Sequence, residues 1–139
     1  MIDWPAALVA ASAAIIALMG AVHLVLTGQR RPFEPRDDAL LARMKTVPLR
    51  ISRATTTWRA GLGFHASHSL GAMLFGAVYL ELALRDADVL FGSAVLLAIG
   101  CAYLLGMCAL AWRCWFRVPL AGVGLATALY LAALALRSI

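Results

Sequence analysis

Charge is scarce in this chain. Only 14% of its 139 residues are Asp, Glu, Lys or Arg, while 63% are hydrophobic. Soluble domains run at about a quarter charged and about half apolar, so this chain has too little polar surface to cover a water-facing globule. The length allows one domain, and 1–139 reads as a single integral membrane domain. No complete catalytic or cofactor motif is present either. There is no C-x-x-C, and Cys101, Cys108 and Cys114 lie in or beside one apolar run. That placement argues against an exposed disulfide framework and fits cysteine as a small hydrophobe.

What the chain does have is length in its apolar runs. Four of them, 6–28, 60–84, 89–111 and 118–136, approach or exceed the roughly 20 residues that a helix needs to span a bilayer. The fold class predicted is all-α, a four-helix transmembrane bundle. The first run is a poor cleavable signal. Its N-terminal flank carries no basic residue and its apolar stretch is too long. Trp4 and Pro5 instead suit an interfacial residue followed by a helix start.

Basic residues set the expected orientation. The 29–59 connection holds Arg30, Arg31, Arg36, Arg43, Lys45, Arg50, Arg53 and Arg59, and the connection after the third run adds Arg113 and Arg117. With four spans these two connections share one side. The other side has only Arg85 and Arg137, with Asp3, Asp86 and Asp88. The positive-inside rule then predicts cytoplasmic basic loops and both termini outside. The net charge of +5 is accordingly a topology signal, with membrane lipid as the partner and no nucleic acid implied.

Within 29–59, Pro35-Arg36-Asp37-Asp38 reads as a helix start with acids in the first turn. Leu40, Leu41, Met44 and Val47 follow at helical spacing, and Pro48 closes the pattern. A short amphipathic helix on the inner leaflet, between spans 1 and 2, is predicted. Ser52 and Thr55-Thr56-Thr57 offer hydroxyls to cap the second span, with Trp58 and Arg59 at headgroup level.

The candidate site comes from depth. His23 lies near the cytoplasmic end of the first span, and His65 and His68 lie in the first turns of the second, so all three share one level. Ionisable residues within a membrane are costly and mark functional positions. On the second span Gly61, His65, His68, Ala72, Gly76 and Tyr79 fall within about 60° of one direction at 100° per residue. Gly63, Ser67 and Gly71 form a small-xxx-small stripe expected to pack against another helix. A ligand-binding set of His23, His65, His68 and Ser67 is therefore predicted, in a pocket whose small neighbours leave room. His65 and His68, at i and i+3, can reach one metal ion with His23 as a third ligand, which keeps a metal or haem cofactor open. Plain hydrogen bonding between helices and acid–base chemistry on a lipid or isoprenoid stay open beside it. Glu81 and Arg85, at i and i+4, fit an ion pair at the membrane edge, and Tyr103 and Thr127 fit inter-helix hydrogen bonding.

Several short segments also occur in a telling order. They are Gly20-Ala21-Val22-His23-Leu24, Phe33-Glu34-Pro35-Arg36-Asp37, Thr56-Thr57-Trp58-Arg59-Ala60 and Gly63-Phe64-His65-Ala66-Ser67-His68-Ser69-Leu70-Gly71-Ala72. Together they resemble a family of uncharacterised small four-span bacterial membrane proteins, over roughly the first 85 residues. The family's motif, G-F-x-x-S-H-S-L-G, aligns with His68 and leaves the place of His65 variable. The resemblance implies a bacterial inner-membrane protein, with His23 and His68 as the pair to examine first, for a metal as for any other ligand. It implies no particular activity. The function expected is a ligand- or partner-binding membrane module, possible as a homo-oligomer.

Overall fold

The computed structural model describes residues 3–137. It is all-α, apart from one small hairpin, and its four long helices are each long and apolar enough to cross a membrane. In chain order these are α1 (Trp4–Gln29), a 3-10 turn (Arg31–Phe33), α2 (Asp38–Thr46), β1 (Pro48–Leu49), β2 (Ser52–Thr56), α3 (Thr57–Arg85), α4 (Ala87–Gly92), α5 (Ala94–Cys114) and α6 (Arg117–Arg137). The candidate spans are α1, α3, α5 and α6. By length and composition this is a multi-pass membrane protein. The chain forms two compact units, one of 1–19 with 72–139 and one of 20–71.

The first unit contains parts of all four long helices. Asp3 starts α1 by accepting the Ala6 amide at 3.1 Å. Val9, Ile16, Leu90, Leu104, Val123 and Tyr130 form its sealed centre. Hydrocarbon offers no water to polar groups, so buried hydroxyls must find partners within the protein. They take backbone carbonyls of neighbouring helices. Ser12 donates to Ala126 at 2.7 Å, Tyr79 to Leu96 at 2.6 Å and Tyr130 to Leu97 at 3.2 Å. Thr127 donates to Val123 at 2.8 Å and stands 3.5 Å from the Leu104 carbonyl, while Tyr103 stacks on Phe75 at 4.0 Å. Helices approach closely at Gly76. A Cβ there would sit 2.6 Å from both the Ala13 carbonyl oxygen and the Ala17 Cβ. At the surface the expected Glu81–Arg85 pair forms at 2.9 Å, and Arg137 reaches Asp88 at 3.4 Å and Asp3 at 3.8 Å.

The second unit holds the end of α1, the amphipathic helix, the hairpin and the first turns of α3. The Asp37 carboxylate caps α2 by accepting the Ala39 and Leu40 amides at 2.9 and 3.1 Å. β1 and β2 pair antiparallel with a bulge between Pro48 and Leu49. The Thr57 amide donates to the Val47 carbonyl at 2.9 Å, which ties the start of α3 to the end of α2. Thr56 supplies the cap to α3, its hydroxyl accepting the Arg59 amide at 3.3 Å.

The structure differs from the sequence expectations at three places. The run 89–111 is not one span. Ser93, with extended backbone, accepts the Leu96 amide and starts α5 there, leaving Ala87–Gly92 as a separate short helix. The segment after Pro48 is a hairpin, since β-branched Thr55 and Thr56 suit an extended strand as well as a cap. Trp58 is buried within the protein, with the Lys45 ammonium 6.0 Å from its ring centre. Finally, Gly63, Ser67 and Gly71 are exposed, and a Cβ at Gly63 or Gly71 would meet nothing within 4 Å. Within the 20–71 unit no described helix packs on that stripe. The packed face of α3 is the neighbouring one, where Ser69, Ala72, Gly76, Tyr79 and Ala83 are buried.

Candidate functional site: a histidine and phenylalanine cluster

The three histidines meet within the 20–71 unit. His65 and His68 are one helical turn apart on α3, so both project from one face. His23 comes from the last two turns of α1. His23 Nε2 lies 3.2 Å from His65 Nδ1, and the His23 and His68 ring centres are 5.5 Å apart, nearly perpendicular. The expected approach of His23 to His68 is therefore present, but the direct hydrogen bond belongs to His23 and His65.

A fourth ring completes the cluster. Phe33, at the end of the 3-10 turn, stacks on His65 at 4.3 Å with an interplanar angle of 24° and stands 4.9 Å from His23. Phe33 thus fills space among the imidazoles. Its signal in the sequence was modest: an aromatic residue between Pro32 and Pro35, close behind the helix that carries His23. Phe64 lies parallel to His68 at 6.4 Å on the outer side of α3.

Two hydroxyls, one turn beyond a histidine in each helix, support the frame. Thr27 donates to the His23 carbonyl and Ser69 to the His65 carbonyl, each at 2.8 Å. Both are buried. Such back-bonding satisfies hydroxyls that would otherwise be unpaired, and it often bends a helix. Ser67, expected to join the site, does not. It is exposed, and its hydroxyl donates to the Phe64 carbonyl of its own helix at 3.0 Å.

Among the described residues no group of three or more His, Cys, Asp or Glu is placed to hold a metal ion. His23 and His65 already direct one nitrogen each at the other. What the pair offers is a hydrogen-bonding unit. When both rings are neutral, one donates N–H and the other accepts. If His23 is the donor, its Nδ1 is an acceptor and His65 Nε2 carries a proton. If His65 is the donor, both outer roles reverse. Either way the two outer nitrogens supply one donor and one acceptor.

No family model, no curated protein and no solved structure matches this chain.

Proposed function

We propose that this protein is a small module of the bacterial inner membrane that binds a lipid-soluble ligand or a partner protein through His23, His65, His68 and Phe33. One observation carries the reading. All three histidines of the chain gather in one cluster, with Phe33 against two of them, on two helices that are long and apolar enough to cross a membrane. Polar side chains in such helices mark function by default. The paired imidazoles present one donor and one acceptor, which complements a hydroxyl, carboxylic acid or amide head on an apolar body. A three-ligand metal site has less support, because no group of three or more His, Cys, Asp or Glu among the described residues is placed to hold one. The proposed orientation puts both termini outside and the 29–59 connection in the cytoplasm, from the bias of basic residues.

The test is native mass spectrometry of the protein purified from a membrane extract, with its absorption spectrum and metal content measured on the same sample. A co-purifying organic molecule that is lost in His68→Ala and His65→Ala, while both variants still insert and fold, supports the reading. A haem band or stoichiometric metal would replace it with the metal reading. Reporter fusions at the C-terminus check orientation, and a cytoplasmic C-terminus would overturn that part.

A further inference from the structure

The 30–59 segment carries charge that the protein itself does not neutralise. Its eight basic residues, Arg30 to Arg59, are all exposed, and against them stand only Glu34, Asp37 and Asp38. The difference, 8 − 3, is +5. Among the described residues the ion pairs join Arg85 to Glu81 and Arg137 to Asp3 and Asp88, so none involves these eight. The Asp37 carboxylate is occupied with two backbone amides of α2.

The same segment also exposes apolar side chains outside the candidate spans. Ile51, in the turn between β1 and β2, is 91% exposed, with Arg50 and Arg53 on either side. Leu40 and Val47 of the α2 region are also exposed, and with Met44 and Thr57 they line a shallow groove that includes Arg43. Basic groups set among exposed apolar side chains are what the headgroup layer of an anionic membrane accepts, with apolar groups entering the acyl boundary and cations meeting phosphates.

We propose that α2 and the hairpin form an anionic-phospholipid clamp, in which Ile51, Leu40 and Val47 enter the bilayer surface and Arg43, Lys45, Arg50 and Arg53 hold lipid phosphates. This rests on the multi-pass membrane reading and not on the histidine cluster, so removal of ligand binding at the histidines leaves it untouched. The clamp makes the position of the 38–56 segment depend on headgroup charge, a property that the four spans alone would not confer.

The test places a polarity-sensitive fluorophore on Ile51→Cys, with Cys101, Cys108 and Cys114 replaced by Ala. The full chain is reconstituted in nanodiscs of phosphatidylcholine alone or of an equimolar mixture with phosphatidylglycerol. Emission should shift to the blue in the anionic discs only, and high salt should reverse the shift. Replacing Arg43, Lys45, Arg50 and Arg53 with Gln should weaken the docking equilibrium at least about tenfold. The salt titration tests the same charges without mutation, should that variant fold poorly. Equal emission in both lipids, or a blue shift that survives high salt, would overturn the proposal.

Discussion

His23 Nε2 and His65 Nδ1 stand 3.2 Å apart across 42 positions of sequence, with Phe33 stacked on the far partner at 4.3 Å. The bond joins α1 to α3 and orients both half-buried rings. His65→Ala should lower stability by about 1 kcal/mol through the lost inter-helix bond. Phe33→Leu should cost roughly 0.5–1.5 kcal/mol for the lost ring contacts. Thermal unfolding in one detergent would check both, and a nitrogen-15 coupling between the rings would report the bond directly. Wild-type stability in both variants would mean that the cluster is not formed.

Glycines on α3 separate the packed from the unpacked face. At Gly76 a methyl group would meet the Ala13 carbonyl at 2.6 Å, whereas at Gly71 it would meet nothing within 4 Å. Gly76→Ala should therefore destabilise by about 1–3 kcal/mol through overpacking. Gly71→Ala should instead be neutral or stabilise by up to about 1 kcal/mol, since alanine is the better helix former. The reverse order would place the 63, 67, 71 stripe in the packed interface.

This contrast shows what the sequence could and could not convey. Length and hydropathy were enough for the four spans, because a bilayer sets their minimum and few other structures satisfy it. Helical spacing correctly put His65, His68, Ala72, Gly76 and Tyr79 on one face. It could not say that this face, and not the adjacent small-residue stripe, meets the other helices, since both patterns permit contact. Ser93 and the 48–56 hairpin were hidden for another reason. A capping hydroxyl within an apolar run, or a short strand of threonines, is a local event with little periodicity to detect. Depth matching brought His23 to the other two histidines. Phe33 lay outside that logic because it sits in a loop, and only the turn after α1 directs it back among the rings.

That turn carries the one positive φ among described non-glycine residues. Arg30 has φ 61° and ψ −50°, with its amide bonded to the Thr27 carbonyl and its own carbonyl accepting the Phe33 amide. A side chain in this region costs of order 1–3 kcal/mol, and glycine relieves it. Arg30→Gly should raise stability by about 1 kcal/mol while leaving the His23–His65 bond in place. Arg30→Val should lower stability, since branching at Cβ worsens the same clash. Equal melting temperatures for the two variants would show that the turn relaxes to an ordinary conformation.

Gly100 gives the sharpest packing test in the 72–139 region. A Cβ at this position would run into the Tyr130 hydroxyl and ring. That hydroxyl lies over the same turn of α5, donating to the Leu97 carbonyl at 3.2 Å. Tyr130 is also 1% exposed, so it has no room to swing aside. Gly100→Ala should gain up to about 1 kcal/mol of helix propensity. It should lose more, about 1–3 kcal/mol by overpacking, together with the displaced hydrogen bond. The net effect is destabilising. Tyr130→Phe removes the oxygen that collides first, so the two changes should not add. In the phenylalanine background the Gly100→Ala penalty should fall by roughly 1 kcal/mol, the interaction energy that a double-mutant cycle isolates. Strict additivity across the four proteins would mean that Gly100 and Tyr130 are not in contact.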